Sequence, residues 1–219
     1  MQQIQISSKV VDAFKALSSS IISDALDAAK VDGVVSGINS LVHGQSMCGL
    51  AYTVRYTVQD ASPGRFADFL DDVPTGAVVA IDNGGRTNCS VWGDTLSLFA
   101  TTKRFAGTAV DGLCRDIAGT RAYKYPMFSR GTTMRTGKGR IVIESLQAAI
   151  VLGSIPVRTG DLLFGDDTGL VVVPAARAEE VLEHAHRIVK RDKAVGEAIN
   201  GGATILDAWK AGSNALAAS

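Results

Sequence analysis

Gly93–Asp116 reads GDTLSLFATTKRFAGTAVDGLCRD, and the architecture turns on how it is divided. Thr95 to Lys103 has helical spacing, GTAVDG is a short apolar strand stopped by glycine, and a second helix is expected from about Asp116 to Ala122. Just upstream, AVVAI at Ala77 to Ile81 is a continuous apolar run, the pattern of an inner strand, closed by Asp82, Asn83, Gly84 and Gly85. Strands and helices therefore alternate through the middle of the chain. An α/β fold is the expectation.

Outward from this core, Val10 to Leu17 and Ile21 to Ala29 have helical spacing, with Ser18, Ser19 or Ser20 available to cap the second helix. AYTVRYTV at Ala51 to Val58 alternates as a half-buried outer strand does, and Pro126 with Phe128 returns the chain to a strand. From Gly139 the pattern breaks into short apolar pieces separated by Gly and Asp, which predicts a β meander. After Pro174, Val181, Leu182, Ala185, Ile188 and Val189 mark an amphipathic helix, and a short helix near Ala203 to Trp209 follows. No repeat or linker interrupts residues 1–219, so one domain is expected, with a core at about 18–174 and a C-terminal helical segment at about 175–210.

Composition narrows the function classes. Hydrophobic residues make up 46% of the chain and mean hydropathy is +0.16, enough to fill a sizeable core. Twenty-two basic and 22 acidic residues cancel, so the broad positive field needed for nucleic-acid binding is absent. The N-terminal MQQIQISSKVVDAFK lacks the charge and apolar pattern of a signal peptide, and no run reaches the ~18 apolar residues of a membrane span. A cytoplasmic protein without membrane or nucleic-acid partners is expected. Cys48, Cys89 and Cys114 form no CxxC pair, which argues against a disulfide framework or a thiolate zinc site.

The chemistry concentrates around the turns that follow the apolar strands. Asn83, Gly84 and Gly85 allow close backbone approach to a small ligand. Gly93 and Asp94 enter a helix whose first free N–H groups, at Thr95 and Leu96, together with the helix dipole suit a carboxylate. Arg115 adds a planar donor fork, and Asp116 a hard oxygen for Mg²⁺ or Mn²⁺. Taken alone, an Arg–Asp dipeptide is an exposed loop pair.

The order of motifs adds to this reading. NGG at Asn83–Gly85, WGD at Trp92–Asp94, DGLCRD at Asp111–Asp116, YPMFSRG at Tyr125–Gly131, GKGR at Gly137–Arg140 and GDLLFGDDTGLVVVP at Gly160–Pro174 resemble RraA-like proteins over about Ser18 to Pro174. That family includes class II pyruvate aldolases acting on 4-hydroxy-4-methyl-2-oxoglutarate and 4-carboxy-4-hydroxy-2-oxoadipate. Its aldolase branch is marked by an acid, twenty intervening residues and Arg-Asp, a pattern met by Asp94, Arg115 and Asp116. The resemblance implies a swivelling β/β/α sandwich, a homotrimer or hexamer with sites at subunit interfaces, and a lyase that uses a divalent metal to release pyruvate from 4-hydroxy-2-oxo diacids or from oxaloacetate. It assigns Asp116 to the metal, Arg115 to the charge growing on the ketone oxygen, and Asp94 to the water that supplies a proton. The alternative within the family is a non-catalytic regulator of the RNase E inhibitor type, which binds a partner enzyme.

This chain departs from its relatives at some positions. Many carry an acid three positions after the Asp of Arg-Asp, where Gly119 stands here. Relatives also borrow an acid from a neighbour's C-terminal segment, for which Asp192 and Glu197 are the candidates. Arg86, Thr87 and Asn88 occupy a stretch that varies in the family and bears on specificity. Elsewhere, His184 and His186 are two apart and cannot share a helix face as ligands, Asp166 and Asp167 read as a tight turn, and Asp111 before Gly112 as a turn former.

Overall fold

The computed structural model describes residues 5–60 and 64–217. Two helices open the chain: α1 (Ser8–Lys15), capped by Ser7 Oγ on Val10 N–H, and α2 (Ser19–Ala28), capped by Ser18 Oγ on Ile21 N–H. Short strands β1 (Val34–Val35) and β2 (Asn39–Ser40) lead into β3 (Met47–Val58). A 3₁₀ turn at Asp68–Asp72 precedes β4 (Val78–Trp92), and then come α3 (Asp94–Thr102), β5 (Gly107–Cys114), α4 (Ile117–Ala122) and β6 (Met127–Thr132). Strands β7 (Ile141–Leu146), β8 (Ile150–Leu152), β9 (Ile155–Val157), β10 (Leu162–Gly165) and β11 (Leu170–Val173) follow, and α5 (Ala178–Asn200) and α6 (Ile205–Ala217) close the chain.

The sheet order is β1-β11-β10-β3-β4-β5-β6-β2, with β7 also on β3 and a separate β8–β9 hairpin. Strands β3 to β6 are mutually parallel, each joined to the next by a crossover carrying the 3₁₀ turn, α3 or α4. Strand β3 is the spine. Its first residues pair with β10, its middle with β4 and its end with β7. AYTVRYTV is therefore central rather than an outer strand, buried from Ala51 to Val54 and at Tyr56 and open only toward Val58, because it is covered by partners distant in sequence. The expected meander is likewise divided: β7 leaves to pair with β3, and only the β8–β9 and β10–β11 hairpins are local.

Apolar residues on the two faces build three cores. One lies beneath α3 and α4 around Val79, Ile81, Trp92, Val110 and Tyr125. A second joins α1, α2 and α5 to β10 and β11 through Phe14, Leu26, Phe164 and Val181. The β8–β9 hairpin covers the third, around Ala80, Ala109 and Phe128. The turn Asp166–Asp167 does more than reverse the chain: Asp166 Oδ2 accepts from Ser19 N–H at 2.9 Å and Oδ1 from Ser19 O–H at 2.6 Å, which ties the β10–β11 turn to the start of α2. Helix α6 runs to Ala217, longer than its sequence pattern indicates, and among the described residues no helix is long and apolar enough to cross a membrane.

Two strand ends differ from the sequence expectation, and both shape the site. Strand β4 does not stop at Asp82. Gly84 (φ 60°) and Gly85 (φ 66°) take left-handed conformations that cost glycine little, so the chain bulges and resumes as far as Trp92. Strand β5 likewise runs through Gly112 to Cys114. Asp111 is no turn former: its buried carboxylate accepts from Arg130 Nε–H and, at 2.8 Å, from Gly153 N–H. Satisfying the charge inside the sheet lets the strand continue past it.

Candidate functional site

Parallel sheets present ligands at the carboxyl ends of their strands. Here β4 ends at Trp92 and β5 at Cys114, and the two ends are joined by the Arg115 N–H bond to Trp92 O at 2.9 Å. Gly93 and Asp94 follow the first end, and Arg115 and Asp116 the second. The sequence separates these pairs by twenty residues; the parallel register sets them side by side.

Asp116 caps α4 in the left-handed region, at φ 53° and ψ 40°, with no side-chain cap bond. Aspartate tolerates this conformation better than most residues, though such backbone is uncommon outside glycine. Its Oδ2 lies 3.0 Å from Arg115 Nε, and the two side chains are 40% and 41% exposed. A Cβ at Gly93 would stand 3.1 Å from Asp116 Oδ2 and 3.3 Å from Arg115 Cγ, so glycine keeps this approach open. A Cβ at Gly119 would lie 2.6 Å from Asp94 Cβ. The position at which relatives carry an extra acid is thus filled by Asp94 itself.

The first bond of α3 runs from Ser97 N–H to Gly93 O at 3.0 Å, which leaves the N–H groups of Thr95 and Leu96 outside the helical ladder. Thr95 N–H donates to Asp94 Oδ1 at 2.6 Å. Beneath the site, Trp92 Nε1–H donates to Ser97 Oγ at 3.0 Å, and Ser97 Oγ lies 2.9 Å from Thr120 Oγ1. This buried chain locks α3 against α4 and so fixes Asp94 relative to Asp116. Ser97 and Thr120 escaped the sequence reading. The only signal was a small hydroxyl within an apolar helix face, which packs as often as it bridges.

Asn83, Gly84 and Gly85 lie further back along β4, at the level of Asp111 and Gly112 on β5, and not beside Arg115. Asn83 is fully buried; Arg86 Nη1–H donates to its backbone O at 2.8 Å, while its Nδ2 has no partner among the described residues. The three thiols are buried, and burial pushes Cys48 and Cys114 up to about 12, so neither is a nucleophile. A cavity of about 670 Å³ lies by Gly76 and Ala77 at the start of β4, at the far end of the strand from Gly93. Arg115 and Asp116 instead stand on an open face.

As for a metal, among the described residues no three His, Cys, Asp or Glu side chains converge. The donor set still fits a hard cation, since Mg²⁺ commonly takes one or two protein carboxylates and keeps water or substrate elsewhere. Asp116 is half-exposed, bound by no cap, and faces the space that Gly93 leaves empty.

Residues 19–172 match the family model described as RraA-like, Aldolase/RraA. The protein DlpA of Legionella pneumophila is 34% identical over 194 residues; the match covers 87% of this chain and 32% of that protein, so the chain spans about a third of its length. A protein of Halalkalibacterium halodurans provisionally named 4-hydroxy-4-methyl-2-oxoglutarate aldolase is 32% identical, over 91% of this chain and 92% of that one. The crystal structure of an uncharacterized protein from Pseudomonas syringae pv. tomato superposes with a TM-score of 0.86 at 36% identity, covering 93% of this chain and 98% of that one.

Proposed function

The chain belongs to the RraA-like family, Aldolase/RraA, and on that premise we propose that it is a divalent-metal-dependent carbon–carbon lyase that releases pyruvate from a 4-hydroxy-2-oxo diacid or from oxaloacetate. One observation carries the reading: Asp94, Arg115 and Asp116 meet at the carboxyl ends of two adjacent parallel strands, with Gly93 and Gly119 clearing the space between them. Asp116 would hold the Mg²⁺ or Mn²⁺ ion, which when bound polarises the substrate ketone as a Lewis acid.

The remaining work falls to the chain's own groups. Arg115 places a permanent guanidinium where negative charge grows on the ketone oxygen as the C3–C4 bond breaks, and a donor fixed in advance there lowers the barrier without reorganising. Asp94 orients the water that returns a proton to C3 of the pyruvate enolate. The unladdered N–H of Leu96 and the end of α3 attract the substrate's C1 carboxylate. In the free chain Asp94 Oδ1 occupies Thr95 N–H.

Closure of this open face calls for a second subunit. Helix α5 buries residues only in its first half, to Ile188, while Ile199 and, on α6, Ile205, Leu206 and Trp209 stay exposed. A homotrimer, or a hexamer of two trimers, in which this hairpin brings Asp192 or Glu197 beside the neighbour's Arg115 is the assembly that fits.

The decisive assay couples pyruvate release to lactate dehydrogenase, with oxaloacetate and 4-hydroxy-4-methyl-2-oxoglutarate as substrates. Pyruvate should appear with Mg²⁺ or Mn²⁺ and cease with EDTA. A second reading, the partner-binding regulator, draws on the self-pairing of Arg115 with Asp116 and of Asp94 with Thr95 N–H. No turnover of either substrate with metal supplied would favour it.

A further inference from the structure

Asp116 stands at the head of α4, where an aspartate ordinarily accepts from the second or third N–H of its helix. Its backbone is left-handed rather than extended, and no side-chain cap bond forms. Its Oδ2 lies instead 3.0 Å from Arg115 Nε, and among the described residues no other cationic side chain stands within ion-pair distance of it. Asp94 does not compete for the guanidinium. Its Oδ1 is held by Thr95 N–H at 2.6 Å, and its Oδ2 lies over α4, 2.9 Å from where a Gly119 Cβ would stand. Gly93 completes the arrangement: a Cβ there would be 3.1 Å from Asp116 Oδ2, 3.3 Å from Arg115 Cγ and 3.6 Å from Arg115 Nε, so both members of the pair rest against bare backbone at the end of β4.

This contact sets two assigned roles against each other. A hard cation needs the Asp116 oxygen as an inner ligand, and Mg²⁺ gives up its own water reluctantly, so a guanidinium already seated on that oxygen is a competitor. The Arg115 fork in turn is the donor assigned to charge growing on a ketone oxygen, and it is not free for that while its Nε edge faces Asp116. The pair is also weak enough to open. Both side chains are half-exposed, and exposed ion pairs shift an equilibrium by about fivefold at most.

We infer that Arg115 is a latch on the metal site: it neutralises Asp116 in the free protein, competes with the divalent cation for Oδ2, and is released toward the substrate only when the cation has taken its place. The loaded site is then the one in which the guanidinium is free. A substrate that draws Arg115 away from Asp116 tightens the cation by the same factor as the cation tightens the substrate. The identity of cation and substrate rests on the lyase reading above. The competition itself is a property of two side chains and is measured without turnover.

Calorimetric titration with Mn²⁺ compares the parent with Arg115→Gln, which removes the competitor at a half-exposed position and leaves Asp116 in place. The variant should bind Mn²⁺ about three- to fivefold more tightly than the parent, although it has lost the group that stabilises the developing charge. The nitrogen resonance of Arg115 Nε then separates the latch from the mere removal of a nearby positive charge: saturating Mg²⁺ should shift it to the position that it holds in metal-free Asp116→Asn. Equal or weaker Mn²⁺ binding by Arg115→Gln overturns the latch, and so does an Nε resonance that Mg²⁺ leaves in place or moves elsewhere. If neither protein takes up Mn²⁺, the lyase reading falls and the latch with it; uptake by both with equal affinity removes the latch alone.

Discussion

Two arginine–aspartate pairs depend on β5, and they differ in almost everything except residue type. Asp111 and Arg130 sit within the sheet; the carboxylate is 6% exposed and both its oxygens are taken, one by Arg130 and one by Gly153 N–H. Arg115 and Asp116 lie just past the strand end, 40% and 41% exposed, with Asp116 on left-handed backbone and without a cap bond. Burial with both oxygens satisfied makes Asp111 a structural element, since its carboxylate has no capacity left for a ligand, and Arg130 serves to pair it. The second keeps its lone pairs and donors available to solvent, and so to a substrate. The environment of a charge, more than its identity, separates scaffold from chemistry.

The sharpest test of that contrast is Arg115→Lys, which retains charge and loses the fork. It should lower kcat by about 10²-fold or more with the melting temperature unchanged, because a fixed donor at developing negative charge contributes on that scale. Asp116→Ala should instead chiefly weaken Mg²⁺ or Mn²⁺ binding by calorimetric titration; equal loss of metal affinity in both variants would break the division of roles. At the other pair the effects reverse. Arg130→Met leaves Asp111 buried and unpaired and should cost about 3 kcal/mol in denaturant unfolding. The Asp111→Asn, Arg130→Met double variant should recover part of this loss. If Arg130→Met proves as stable as the parent, the two pairs are not different in kind.

Gly119→Ala probes the ground between the pairs. Its Cβ would meet Asp94 Cβ at 2.6 Å, so Asp94 must move, at about 1–3 kcal/mol of stability. Turnover should drop further than stability explains. The smallest effect belongs to a carboxylate remote from both. Burial works to raise the Asp166 pKa, but bonds from Ser19 O–H and N–H and from Thr168 and Gly169 N–H outweigh it, so the group titrates below the ordinary 3.8. A depressed folded pKa stabilises above the unfolded value and loses that contribution as pH falls through the folded one. Ser19→Ala should therefore cost about 1 kcal/mol at pH 7, and the gap to the parent should narrow on acidification below pH 4. A gap constant down to the lowest pH at which both fold would assign the loss to packing alone.

Much of this was legible in order along the chain. The serine cap of α2, the helical spacing of α1 and α3 and the amphipathic stripe of α5 are local properties, set by side-chain period and by the first unpaired N–H groups. The Asp94, Arg115, Asp116 spacing stood out by its motif. The structure places those three together, whereas Asn83, Gly84 and Gly85 belong to a different level of the sheet, since the bulge after Asp82 cannot be counted from sequence. Asp111 was misread for a related reason. A carboxylate before glycine looks like a turn until Arg130, 19 residues away, is known to cover it.

The sequence by itself determined the alternation of strands and helices, the neutral and cysteine-poor chemistry, and which acids and arginines were available, because these follow from local period and residue type. The tertiary structure decided which of them meet. Parallel pairing of β4 with β5 sets Gly93 beside Arg115, antiparallel pairing at both ends buries β3 as the spine, and the close approach of α4 to α3 leaves Gly119 no room for a side chain. Those facts depend on contacts between residues far apart in the chain, and only a folded, close-packed interior fixes such contacts.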